Sequence, residues 1–143
     1  MSEIRVAESD AEIDSCFPVM SLLRPHLHRD DFVPLVRSMS AQGYRLAFLI
    51  ADDTVQAVVG YRIIEMLRTG RMLEVDDLVS AESARSKGYG KRLLNWCYGL
   101  ARDSGCSVVE LDSAVQRADA HRFYFRERMY VLGFHFSHSI NSE

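Results

Sequence analysis

Residues 73–102 read LEVDDLVSAESARSKGYGKRLLNWCYGLAR, and the fold of the chain turns on how this stretch is parsed. Its first part has strand character. Leu73, Val75, Leu78 and Val79 supply apolar side chains, while Glu74, Asp76 and Asp77 add three carboxylates. Residues 80–86 form a polar connection. From Gly88 the period changes to a helical one. Tyr89, Leu93, Trp96, Cys97, Leu100 and Ala101 share one face, with Lys91, Arg92, Asn95 and Arg102 on the others. Gly105 follows the last apolar repeat and is the expected stop.

A strand that feeds a helix through Arg85-Ser86-Lys87-Gly88-Tyr89-Gly90 has a physical use. The first helical turn leaves backbone N–H groups unpaired and carries partial positive charge. Gly88 and Gly90 have no Cβ, so an anion can come close to those amides. Arg85, Lys87, Lys91 and Arg92 add cations at the same place. The expected ligand is a phosphate or diphosphate. The alternative is a glycine-containing helix start with a solvated basic face. Two familiar phosphate patterns fail here. A dinucleotide fingerprint needs glycine where Leu93 stands, and a P-loop needs Ser or Thr where Arg92 stands.

Arg85-x-x-Gly88-x-Gly90, preceded by a strand and followed by a helix, resembles the Gln/Arg-x-x-Gly-x-Gly/Ala pyrophosphate signature of the GNAT superfamily of acyl-CoA-dependent N-acetyltransferases. A second block agrees with it. Many members carry Ala-x-x-Phe-Tyr-x-x-x-Gly-Phe on the last helix, and Ala120, Phe123 and Tyr124 match. Arg128 and Met129 replace the Gly-Phe, which alters the usual turn into the last strand. Arg117 stands where the family often has Asn, so the side-chain contact to the pantetheine arm falls to Gln116 or is missing.

Outward from this stretch the chain reads in the same sense. Residues 3–7 are a short strand. Ser9 or Asp10 caps a helix over residues 11–23, which Pro18 kinks or splits. Asp30 or Asp31 caps a second helix through about Ala41, closed by Gly43. Residues 44–51 and 55–67 are strands joined by Asp52-Asp53-Thr54, a hairpin signal. Thr69-Gly70-Arg71 turns into the central strand. Residues 107–112 should run parallel to that strand through a right-handed crossover. A last helix over residues 120–128 and an alternating final strand over residues 130–138 complete the pattern. The order β-α-α-β-β-β-α-β-α-β is the one implied by the resemblance. It implies an α/β (α+β) fold, with a mixed, mostly antiparallel sheet of six to seven strands and about four flanking helices. The expectation is a single domain over residues 1–143.

The resemblance also implies roles. Acetyl-CoA would be the co-substrate, with its diphosphate on Arg85, Ser86, Lys87, Gly88, Tyr89, Gly90 and Lys91. Its thioester and pantetheine would lie on backbone amides near Leu78, Val79 and Ser80. Tyr124 would protonate the leaving thiolate; the alternative is a half-buried core aromatic. Glu74 lies 11 residues before Arg85, the spacing of the base in the histone-acetylating branch. Asp76 matches an acidic position of polyamine-acetylating relatives. A lysine-like amine, with a pKa of about 10.4, must lose a proton before attack, so a carboxylate or an ordered water has work there. Surface carboxylates on a strand end are the competing reading. In a regular strand Glu74 and Asp76 share a face and Asp77 points away, unless a bulge intervenes. The acceptor is a primary amine, on a small molecule or a protein, attacked directly in a ternary complex. No cysteine is placed as an acyl carrier, since Cys97 lies on the apolar face of its helix. A non-catalytic acyl-CoA sensor or interaction module is the rival from another class.

Composition sets the outer bounds. With 48% hydrophobic and 26% charged residues the chain is of the soluble globular kind, and a net charge of −3 argues against a general nucleic-acid binder. No apolar run is long enough for a membrane span, and the acidic N-terminus lacks a signal-peptide core. Cys16, Cys97 and Cys106 have no metal-ligand spacing, so reduced thiols in a cytoplasmic protein are expected. His135 and His138, three apart on a strand, would face opposite ways, and no metal is expected. A homodimer through the last strand is common among proteins with this pattern of resemblance.

Overall fold

The computed structural model describes residues 1–141. Its sheet is laid down as a meander of β1 (Ser2–Val6), β2 (Arg45–Ala51), β3 (Thr54–Met66) and β4 (Gly70–Ser80), each antiparallel to its neighbour. β5 (Val108–Leu111) then adds parallel to β4. The β2–β3 hairpin closes on Asp52 and Asp53, with φ of 53° and 60°. Two successive left-handed residues match the twist of the strands they join, and Asp tolerates that conformation.

The helices follow local chemistry. Ser9 caps α1 (Asp10–Ser15) in a capping box with Glu12. Pro18 near the start of α2 (Phe17–Leu23) divides what the apolar stripe suggests is one helix. α3 (Arg29–Ser40) starts two to three residues earlier than a cap at Asp30 or Asp31 would give. Asp30 and Asp31 lie in its first turn, where the helix dipole favours them, and His28 occupies the cap position. α4 (Tyr89–Asp103) follows a single 3₁₀ turn at Glu82–Ala84, and α5 (Ala118–Arg126) is the last helix.

Alternation sends side chains to both faces of the sheet. On one, Tyr44, Leu46, Phe48, Val55 and Val58 pack with Ile13, Cys16, Val19, Met20, Phe32 and Val36 of α1–α3. On the other, α4 covers β2–β4 with Leu93, Leu94, Cys97 and Ala101. There the rings of Tyr61 and Trp96 meet edge to face at 5.6 Å. Burying one such apolar side chain is worth about 1.5–3 kcal/mol, so these two layers hold the sheet between them.

Two compact units result, the first ending at Leu111 and the second beginning at Asp112. The class is mixed α+β, with five strands rather than six to seven and five α-helices rather than about four among the described residues. The difference in strands lies in residues 130–138. Their alternation is real, but the segment is irregular and pairs with no strand among the described residues. Tyr130, Leu132, Phe134 and Phe136 are all exposed. An alternating pattern supplies two faces, and a strand also needs a ladder partner. Among the described residues, no helix is long and apolar enough to cross a membrane.

Candidate active site

The three carboxylates of β4 converge because the strand is bulged. Gly60 pairs with Asp77 and Tyr61 pairs with Val75, which leaves Asp76 as the extra residue on β4. Glu74 stands opposite Arg62, two residues from Gly60, so the bulge brings Asp77 onto the same face as Glu74. A regular strand would have turned Asp77 away.

Partly buried carboxylates need counter-charges, and two arginines supply them. Arg62 grips Asp76 with both prongs, Nε to Oδ2 at 2.8 Å and Nη2 to Oδ1 at 3.0 Å, and also donates to Glu74. Arg24, at the end of α2, donates from Nε to Asp77 Oδ1 at 3.0 Å and from Nη2 to the Asp76 carbonyl at 3.0 Å. Tyr44 donates its hydroxyl to Asp77 Oδ2 at 2.8 Å. Burial, and then the charge of Asp77, push the Tyr44 phenol far above its usual range, so it remains a donor. Arg24, Met39, Gln42, Tyr44, Arg62, Asp76 and Asp77 line a cavity of about 350 Å³. Arg24, Tyr44 and Arg62 are absent from the sequence reading. The signal for them is the carboxylate run itself: three acids on a half-buried strand call for cations on the neighbouring strand and helix.

Beyond Val75, β4 runs on to Ser80 while its pairing with β5 stops at Leu111. Leu78, Val79 and Ser80 therefore have β3 on one side and no strand on the other among the described residues. Directly after them, Gly88 caps α4 in the left-handed region, with φ of 76°, and no side chain caps the helix. A Cβ added at Gly88 would meet nothing within 4 Å. Arg85, Ser86 and Lys87 are exposed beside this uncapped end, while Tyr89, Gly90 and Lys91 form the first turn of α4. Arg92 turns away and donates to the Ser2 hydroxyl. The remaining donors suit a large, multiply charged anion such as a diphosphate.

Within the second unit, α5 carries Ala120, Phe123 and Tyr124, the two rings 5.4 Å apart. Tyr124 is half-buried, and burial raises its phenol above the ordinary value against the opposing charge of Arg117. The structure thus gathers Asp76 and Asp77 at one cavity, ties Glu74 to it through Arg62, and brings the residues from Arg85 to Lys91 to one helix start. Tyr124 lies in the second unit.

A family model described as the acetyltransferase (GNAT) family matches residues 12–129. The chain belongs to the GNAT acetyltransferase family. As a GNAT protein it is an enzyme of the N-acetyltransferase kind. It is 34% identical over 125 residues to the uncharacterized N-acetyltransferase YhdJ of Bacillus subtilis, covering 87% of this chain and 88% of that protein. It is 36% identical over 67 residues to an aminoalkylphosphonate N-acetyltransferase of Salmonella typhimurium, a match spanning 47% of this chain and 44% of that one. Among solved structures, AAC(6')-Iy in complex with the bisubstrate analogue CoA-S-monomethyl-acetylneamine superposes with a TM-score of 0.84 at 12% identity, over 99% of each chain. That likeness is one of fold.

Proposed function

We propose that this GNAT enzyme moves an acetyl group from acetyl-CoA to a small primary amine, by direct attack in a ternary complex. The observation that carries the reading is the uncapped, glycine-led start of α4 beside Arg85 and Lys87, one 3₁₀ turn after a strand that beyond Val75 has no second neighbour among the described residues. These donors fit a diphosphate, since the amides of a free helix end and flanking cations are what such a group needs. Arg85, Ser86, Lys87, Gly88, Tyr89, Gly90 and Lys91 would hold it, and Leu78, Val79 and Ser80 the pantetheine. Acetyl-CoA supplies the activated acetyl group when bound.

The chain's own residues do the rest. An ammonium in the cavity lies against Asp76 and Asp77 and gives up its proton there, with Asp76, or Glu74 on the far side of Arg62, in the role of base and Arg62 keeping both oriented. Tyr124 retains its proton at the phenol oxygen, because burial raises it, and is the donor for the leaving sulfur. Cys97 takes no part. It is fully buried on the sheet-facing side of α4, and its thiol is pushed up to about 12 by burial, the opposite of what a nucleophile needs. The Salmonella relative's name gives an aminoalkylphosphonate, a small amine, which supports a small-molecule acceptor.

The experiment is calorimetric titration of the protein with acetyl-CoA beside a Gly88→Glu variant. Saturable binding by the unaltered chain, lost in the variant, is expected. Absence of binding by the unaltered chain would remove the co-substrate and the reading with it.

A further inference from the structure

We infer that the cavity lined by Arg24, Gln42, Tyr44, Arg62, Asp76 and Asp77 selects amines that also bear an acidic group, with the two arginines as the acid's contacts. The inference rests on the acetyl-transfer reading and narrows its acceptor.

Each arginine is only partly spent on the protein. Arg24 uses Nε and Nη2, and Arg62 uses Nε and Nη2; the Nη1 groups of both make no hydrogen bond among the described residues. Both side chains line the cavity and are about two-fifths exposed, at 41% and 36%, so a ligand there meets guanidinium groups with donors to spare. The anchored prongs fix the planar groups, and the outer prongs become preorganised donors for a carboxylate or phosphonate. The cavity lining is charge-balanced, with Arg24 and Arg62 against Asp76 and Asp77. A ligand with one positive and one negative end preserves that balance. A plain amine would satisfy the acids and strand two guanidinium donors as water is displaced, which is unfavourable. At about 350 Å³ the space takes a compact molecule. Arg24 is a specificity residue in this account; the reacting atoms are left to the carboxylates and Tyr124.

The test is acetylation of propylamine, β-alanine and 2-aminoethylphosphonate by the full chain, followed as CoA release, with Arg24→Gln and Arg24→Lys alongside. The acid-bearing amines should be preferred at least tenfold in kcat/KM, chiefly through KM. Arg24→Gln should cut that preference towards unity, and Arg24→Lys should restore part of it. The carboxylate and phosphonate arms show which acid fits better. Equal use of propylamine, or a preference untouched by Arg24→Gln, overturns the inference while acetyl transfer stands. Calorimetric binding of the same amines, with CoA present, separates the two readings. Selective binding of the acid-bearing amines with no turnover would overturn acetyl transfer and keep the selectivity. No binding of them overturns the selectivity outright.

Discussion

Tyr44 donates its hydroxyl to Asp77 across 2.8 Å, and the pair passes so close to Gly60 that no side chain could stand there. A Cβ on Gly60 would lie 1.9 Å from the Tyr44 oxygen and 2.6 Å from Asp77 Oδ2. Three residues distant in sequence are thus bound into one arrangement. The bulge of β4 presents Asp77, the residue just before β2 is Tyr44, and β3 yields the space between them.

Gly60→Ala should therefore destabilise the fold by about 1–3 kcal/mol, since backbone and a packed ring must both shift. Tyr44→Phe alone should lose about 1 kcal/mol, because Asp77 keeps Arg24 as a partner. Combined, the two losses should sum to less than their total, as Phe removes the atom nearest the new methyl. Denaturant melts of the four chains give the coupling directly. Strict additivity would mean that the contact is not the cause.

The sequence made this arrangement only half legible. The strand, loop and helix from Leu73 to Arg102 are readable because period 2 gives way to period 3.6 within one stretch, and Gly105 ends α4 with φ of 75°. The split at Pro18 and the two-Asp hairpin are likewise local chemistry. The bulge at Asp76 is not local, because it is a register between two strands, and it alone decides where Asp77 points. Arg24 reaches Asp77 across 53 residues of sequence, a distance at which no spacing rule acts. The alternation over residues 130–138 misleads for the converse reason. A pattern can specify faces, whereas a strand requires a neighbour.

Two helix ends differ by one residue in a way that can be tested. After α4, Gly105 and Cys106 bond back to Arg102 and Ala101; after α5, Arg128 and Met129 bond back to Phe125 and Tyr124 in the same pattern. The left-handed position is glycine in the first case and Arg128, with φ of 66°, in the second. A side chain there is strained by about 1 kcal/mol or somewhat more. Arg128→Gly should stabilise the chain by about 0.5–1 kcal/mol, and Gly105→Ala should destabilise it by a similar amount. Thermal melts that move the same way for both would contradict this account.

Stability should fall steeply in alkali. Burial pushes the Cys16 and Cys97 thiols and the Tyr61 phenol up to about 12, and Tyr44 higher still. Unfolded, the thiols ionise near 8.5 and the phenols near 10. Above those values the unfolded chain has released protons that the folded chain still holds, so rising pH favours unfolding. The stabilisation is complete below about pH 8.5 and is lost as pH climbs toward 12, at up to about 1.4 kcal/mol per pH unit for each group. Urea melts between pH 7 and 11 measure the slope. A flat profile to pH 11 would show these groups titrating alike in both states.

Tyr124→Phe separates the proton donor from its surroundings, because the ring and its packing against Phe123 survive the change. Loss of a positioned donor should lower kcat by about 10²–10⁴, with the KM for acetyl-CoA nearly unchanged. The pH profile adds a second readout. Burial raises the phenol above its ordinary value, so in the unaltered enzyme it ionises later than a free tyrosine. Any alkaline decline in kcat below pH 10 then belongs to another group and should persist in the variant at the lower rate. The acid limb, set by deprotonation of the acceptor at the β4 carboxylates, should likewise keep its place. An unchanged kcat would return Tyr124 to the status of a core aromatic. An alkaline limb below pH 10 that vanished with the hydroxyl would assign that limb to Tyr124 and contradict the raised phenol.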